Sequence, residues 1–299
     1  MTESRVGILG CGYVGLELAR QLSEEYEVYG VRRSESGLDA VAETGATPVQ
    51  ADLTKLEDLA SLPDADALVF AASSRGNPTA GAIYNSALES VIEQFGSRET
   101  SPDRLVYTSS TGVYGDFDGA VVDESTPIEP ESDRQRILLE AERLALEKAP
   151  EFDIDGTVVR FGGLYGPDRY RMERYLKGPV IEGYLNLVHR DDAAGVVRFL
   201  VENDRLRNDT ILAVDAEPLD KWAFADWLAG EVGEDAPPKQ TVEDRLAEGV
   251  TSQSKRHRIV SSKQCSNDKL QSIGYEYHFP TAYEGYQPAI EAYQHEERS

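Results

Sequence analysis

The chain has 299 residues, enough for one large α/β domain or for one domain carrying a smaller appendage, and its 40% hydrophobic content is that of a folded protein. Asp and Glu number 54 against 30 Lys and Arg, a formal net charge of -24, which excludes the basic surface that nucleic-acid phosphates require. Two distant cysteines, Cys11 and Cys265, lie outside any metal-ligand spacing and argue against both a disulfide framework and a bound metal.

Eight of the basic residues are Lys. A spread acidic excess with few lysines suits a halophilic protein, because salt screens the repulsion among surface carboxylates. The alternative is an ordinary acidic enzyme. No apolar run reaches the roughly 18 residues of a membrane span. The opening MTESRVGILG lacks the basic and apolar regions of a secretion signal, so a cytoplasmic protein is expected.

In chain order, residues 5–9 form a short apolar strand, followed by a glycine-rich turn and a helical stripe at Val14, Leu18 and Leu22. A strand over 27–31, a helical stretch over 38–43 and a strand over 47–50 come next. Residues 67–72 form a fully apolar strand of the kind parallel sheets bury on both faces. A helix over 83–95 leads to another strand at 104–108. Residues 116–130 read as an acidic loop, and a helix starts at Ser132 with Gln135 placed as in a capping box. A strand over 156–161, a helix over 191–202, a strand over 210–214 and a helix over 222–228 complete the pattern, with 231–239 as a surface linker. The β-α-β rhythm implies a Rossmann-type doubly wound parallel sheet over residues 1–165. Residues 166–299 then supply a smaller substrate region, with segments that can return to the first domain.

Gly10, Gly12 and Gly15 have the spacing of a dinucleotide-binding turn, and they stand between a strand and a helix as that turn requires. Gly10 allows the sharp turn, Gly12 lets backbone approach a pyrophosphate, and Gly15 lets helix and strand pack closely. Tyr13 and Val14 fill the positions between and count with them as cofactor contacts. The second strand ends in Arg32 and Arg33 instead of the acidic residue that accepts from a ribose hydroxyl. Arginine cannot accept a hydrogen bond but suits a 2′-phosphate, so NADP(H) is favoured over NAD(H). Asp52 stands after the third strand, where it can meet the adenine amino group, and Ala71, Ala72 and Ser73 end the fourth strand beside the cofactor path.

Three further segments carry a resemblance. Leu105 to Gly115 (LVYTSSTGVYG), Val159 to Pro167 (VRFGGLYGP) and Leu187 to Ala194 (LVHRDDAA) resemble, in order, motifs of the extended short-chain dehydrogenases, which include nucleotide-sugar epimerases and dehydratases. The resemblance covers most of the chain. It implies that Ser110 orients the substrate oxygen and that Tyr114 closes the same motif. Tyr165 borders the cofactor, and Tyr114 or Tyr165 is a candidate proton donor, the alternative for each being a positioning or packing aromatic. His189 and Asp192 are expected to brace a helix start. The family's Tyr-x-x-x-Lys pair is missing: aligning Ala141-Glu142 with the end of that motif puts Arg134 and Leu138 in the two positions. The chain thus resembles the atypical subgroup whose cofactor loop is intact and whose acid–base site is degraded. Arg134 either contacts an anionic substrate group or lies on a solvated helix face, the second reading being preferred. The expected function is an NADP(H)-dependent oxidoreductase or epimerase/dehydratase-like enzyme acting on a carbonyl/alcohol centre, with sugar nucleotides among the candidate substrates. The alternative is a non-catalytic NADP(H)-binding redox sensor. No nucleic acid or membrane partner is expected, and the oligomeric state is left open.

Overall fold

A computed structural model describes residues 4–72, 78–203 and 206–297. The chain divides into two compact units. The first comprises residues up to Val113 together with Asp133–Arg160 and Asp191–Ile211; the second comprises Tyr114–Ser132, Phe161–Arg190 and the chain from Leu212 onward. Both units are discontinuous. The reason is that the sheet recruits strands from beyond the acidic loop, and residues 191–211 belong with it.

That sheet has seven strands: β1 (Arg5–Leu9), β2 (Glu27–Arg32), β3 (Thr47–Gln50), β4 (Ala67–Phe70), β5 (Arg104–Ser110), β6 (Asp155–Phe161) and β7 (Asp209–Ala213). Their spatial order is β7-β6-β5-β4-β1-β2-β3. β1 pairs in parallel with β2 and β4, β2 with β3, and β4 with β5. The fold is a Rossmann-type doubly wound sheet, with the order reversing between β1 and β4. Ligands of such sheets bind beyond the carboxyl ends of the strands at that reversal. The helices α1 (Tyr13–Leu22), α2 (Glu35–Ala42), α3 (Leu56–Ala60), α4 (Pro78–Gly96) and α5 (Asp133–Arg143) connect or follow these strands. β4 is buried along its whole length, as its unbroken apolar run predicts. Leu68, Phe70, Leu88, Ile92, Leu105 and Leu144 belong to one apolar core.

The second unit is built from two-stranded pairings. Gly163–Tyr165 runs parallel to Leu187–His189, and Val121–Val122 runs parallel to Gln264–Cys265. Its core is aromatic: Tyr165, Tyr175, Phe224 and Tyr286 are all buried. The helix Lys221–Val232 starts at Asp220, whose carboxylate accepts from the Ala223 N–H at 2.8 Å. The expected linker over 231–239 instead closes that helix and leads into the strand Lys239–Gln240, paired with Val180–Ile181. Among the described residues no helix is long and apolar enough to cross a membrane.

Candidate functional site

In the first unit the glycine turn leaves β1 at its carboxyl end. Gly10 has φ +93°, and a β-carbon there would stand 2.5 Å from the Ala72 nitrogen and 2.9 Å from the Ala71 carbonyl carbon. Glycine is required at this point for both conformation and space. The same geometry places Ala71 and Ala72, at the end of β4, directly against the loop. Gly12 donates to the Gly10 carbonyl at 2.7 Å and accepts from Leu16 N–H at 2.8 Å, beginning α1. Among the described residues a β-carbon on Gly12 would have only the Arg32 Nη1 at 3.7 Å and the Gly10 oxygen at 3.8 Å within reach, which leaves the backbone open to a ligand on that side. Gly15 packs on β1, where a β-carbon would lie 3.2 Å from Ile8. Val14 is buried beneath the loop and Tyr13 is half-buried. These residues fit a dinucleotide pyrophosphate, with the amino end of α1 supplying N–H groups and a favourable dipole.

Arg32, at the end of β2, folds back over this loop. Its Nη1 donates to the Cys11 carbonyl at 2.8 Å. Its Nε lies so near Gly37, at the start of α2, that a β-carbon there would overlap it. Gly37 was not singled out from the sequence; a glycine one turn into a helix after an Arg-Arg pair is the signal for it. Arg33 is exposed; its carbonyl accepts from Gln50 Nε2 at 3.1 Å, and its guanidinium makes no hydrogen bond or ion pair among the described residues. Asp52 accepts from Thr54 N–H at 3.1 Å and Thr54 Oγ1 at 2.8 Å. The Thr54 hydroxyl is the main cause holding its carboxyl below the usual range. Ser73 lies outside the described residues. Cys11, buried inside the turn, has its thiol pushed up to about 12 by desolvation, with Arg32 opposing.

β5 ends in two serines with opposite fates, because successive strand residues face opposite sides. Ser109 is buried and donates to Glu142 Oε1 at 2.5 Å. Arg160 on β6 grips the same carboxylate, Nε to Oε1 at 3.1 Å and Nη2 to Oε2 at 2.7 Å. This buried triad fastens α5 to β5 and β6. It was not foreseen as a unit, although Arg160 and Glu142 both lie in segments that carry the resemblance. Ser110 faces the other way and is half-buried. Its Oγ accepts from the Gly112 N–H at 3.1 Å, and its own proton has no acceptor among the described residues.

In the second unit, Tyr114 is 3% exposed and its hydroxyl donates to the Asp123 carbonyl at 2.7 Å. Tyr165 is 2% exposed, stacks on Tyr286 at 5.1 Å and meets His189 edge-on at 5.2 Å. Its hydroxyl points at the Thr281 carbonyl, 3.5 Å away. Both side chains are thus buried and packed against neighbours, the arrangement that the packing alternative describes. His189 is buried against Phe279, with ring centres 4.1 Å apart, at the start of the helix Arg190–Glu202. Among the described residues no group of His, Cys, Asp or Glu could hold a metal ion.

Residues 10–204 match the profile of the NAD(P)H-binding family. The chain belongs to that family. It is 28% identical to Protein YeeZ of Escherichia coli over 288 residues, covering 92% of this chain and 96% of YeeZ. A Methylobacillus flagellatus structure described as a candidate NAD-dependent epimerase/dehydratase is 28% identical, with TM-score 0.75 and full coverage of both chains. The human epimerase family protein SDR39U1, solved with NADPH, shares the fold at TM-score 0.76 and 18% identity, covering 96% of this chain and 99% of that one. The chain thus combines an NAD(P)H-binding family domain with an epimerase/dehydratase-like fold. On α5, Arg134 is exposed and Leu138 half-buried, in the positions where the resemblance expects the motif's Tyr and Lys.

Proposed function

We propose that the protein is an NADP(H)-dependent oxidoreductase or epimerase-type enzyme acting on a carbonyl/alcohol centre. The observation that carries this reading is Ser110. It ends β5 on the same sheet edge as the glycine turn after β1 and Ala71-Ala72 after β4, within one unit. Its lone pair is engaged by Gly112 N–H, which leaves its proton for a substrate oxygen. The preference for NADP(H) is supported by Arg32, which holds a cation beside the loop without an acidic partner among the described residues. Gly10, Gly12, Tyr13, Val14, Gly15, Asp52, Ala71 and Ala72 would line the nucleotide. The bound nicotinamide supplies or accepts hydride. Ser110 orients the oxygen of the reacting centre, and the proton comes from outside α5, which has no tyrosine.

The test is NADPH oxidation across a carbonyl panel in molar KCl. Ser110→Ala is expected to lower turnover by about 100-fold, the loss typical of one donor to a developing oxyanion, with NADPH affinity unchanged. Unchanged turnover would remove the role given to Ser110. No oxidation with any compound would remove the enzyme reading.

A further inference from the structure

Arg134 occupies the first turn of α5, where the resemblance expects a tyrosine acid. Its neighbours on that helix are neutralised: Arg136 pairs with Asp133 at 2.7 Å, and Arg143 pairs with Glu140 at 2.7 Å and Glu147 at 3.4 Å. The Arg134 guanidinium makes no hydrogen bond or ion pair among the described residues, in a chain where Asp and Glu outnumber Lys and Arg 54 to 30. Its location is specific. The point where a β-carbon on Gly112 would sit is 3.3 Å from Ser110 Oγ and 3.9 Å from Arg134 Nη2. Because Gly112 has no side chain, the described residues leave that space open between two donors, a hydroxyl and a guanidinium. No acceptor within the described residues answers either of them.

A guanidinium stays protonated at any working pH, so Arg134 cannot replace a tyrosine as acid or base. What it can do is hold an anion, and its planar fork matches a carboxylate. We infer that Arg134 and Ser110, across Gly112, form a seat for a substrate that carries a carboxylate next to its reacting carbonyl or alcohol carbon. The adjacency follows from distance: both donors lie within 4 Å of one point, so the anion and the oxygen that Ser110 orients are separated by only a few bonds. The preference for a merely solvated Arg134 is thereby reversed. This inference rests on the oxidoreductase reading for what Ser110 touches; the anion seat itself does not.

Oxalate, which cannot be reduced by NADPH, is a suitable probe. Its affinity would be measured by titration calorimetry on NADPH-loaded protein at one fixed KCl concentration. Arg134→Gln should weaken oxalate by roughly 10- to 100-fold, the usual worth of a hydrogen bond to a charged group. Arg134→Lys should restore only part, because it keeps the charge and loses the fork. Arg136→Gln, which removes the same charge from the same helix, should change nothing, and thermal melts should show all variants folded. In a second arm, 2-oxo acids are compared with their methyl esters as NADPH oxidants, and the acids should be preferred. Equal oxalate affinity in wild type and Arg134→Gln would overturn the proposal, as would esters turned over as well as acids. Oxalate binding that depends on Arg134, without NADPH oxidation by any compound, would leave the seat standing and remove the oxidoreductase reading.

Discussion

The first unit contains two helix starts that differ in what they demand of the sequence. At the start of α1 the demands fall on the backbone: φ +93° at Gly10, contact with the Ala72 nitrogen, and an open approach at Gly12. Only glycine meets the first two, and the family spacing is intact there. At the start of α5 the demands fall on side chains, and Arg134 and Leu138 stand where the resemblance expects Tyr and Lys. Holding a nucleotide depends on main-chain geometry with few solutions. Moving a proton or holding a substrate depends on functional groups, which can be exchanged while the fold persists.

The comparison can be broken at either helix. Gly10→Val should have the largest effect. A branched side chain at φ +93° would drive into the backbone of Ala71 and Ala72, so either the protein fails to fold or it binds no cofactor. A folded Gly10→Val variant with wild-type NADPH affinity would show that the turn is not the nucleotide site. Glu142→Gln should come next. It leaves the buried Arg160 guanidinium without its carboxylate, at a cost of about 3–5 kcal/mol in chemical denaturation. A loss below about 1 kcal/mol would mean that α5 is not held by this triad.

The smallest effect concerns Cys11. Its thiol is raised from 9.0 to about 12, so it stays protonated in the folded state. The stability from this site is full below pH 9 and declines between pH 9 and 12, where the unfolded chain ionises and the folded one does not. Alkylation of Cys11 by iodoacetamide, followed by mass spectrometry, should therefore not accelerate between pH 8 and 9.5 as an exposed thiol would. Rapid labelling in that range would place Cys11 outside the buried turn.

Much of this was legible in the sequence for physical reasons. β1, β2, β4 and β5 are buried apolar runs separated by amphipathic helices, a pattern that parallel sheets impose. The glycine spacing was legible because it reports backbone geometry, and Gly10 has the φ of +93° that such a turn requires. Pairings between distant short segments were not legible. Val121–Val122 lies in the expected acidic loop, yet it pairs with Gln264–Cys265, and two residues are too few to set a period. The environment of Tyr165 was equally hidden, since a motif tyrosine looks the same whether it lines a site or stacks on Tyr286. Ser109 and Ser110 are adjacent and identical, and only the pleat separates the buried partner of Glu142 from the open hydroxyl.

The central claim is that the first unit binds NADP(H) through the glycine turn and the basic end of β2. The most direct test is calorimetric affinity for NADPH and NADH in molar KCl, with wild type and the Arg32→Ala/Arg33→Ala variant. Wild type should prefer NADPH by roughly 10- to 100-fold, as expected for charged hydrogen bonds to a 2′-phosphate. The double variant should lose that preference while keeping its NADH affinity. Equal affinities in wild type would contradict the role of Arg32 and Arg33, and binding of neither cofactor would contradict the claim itself.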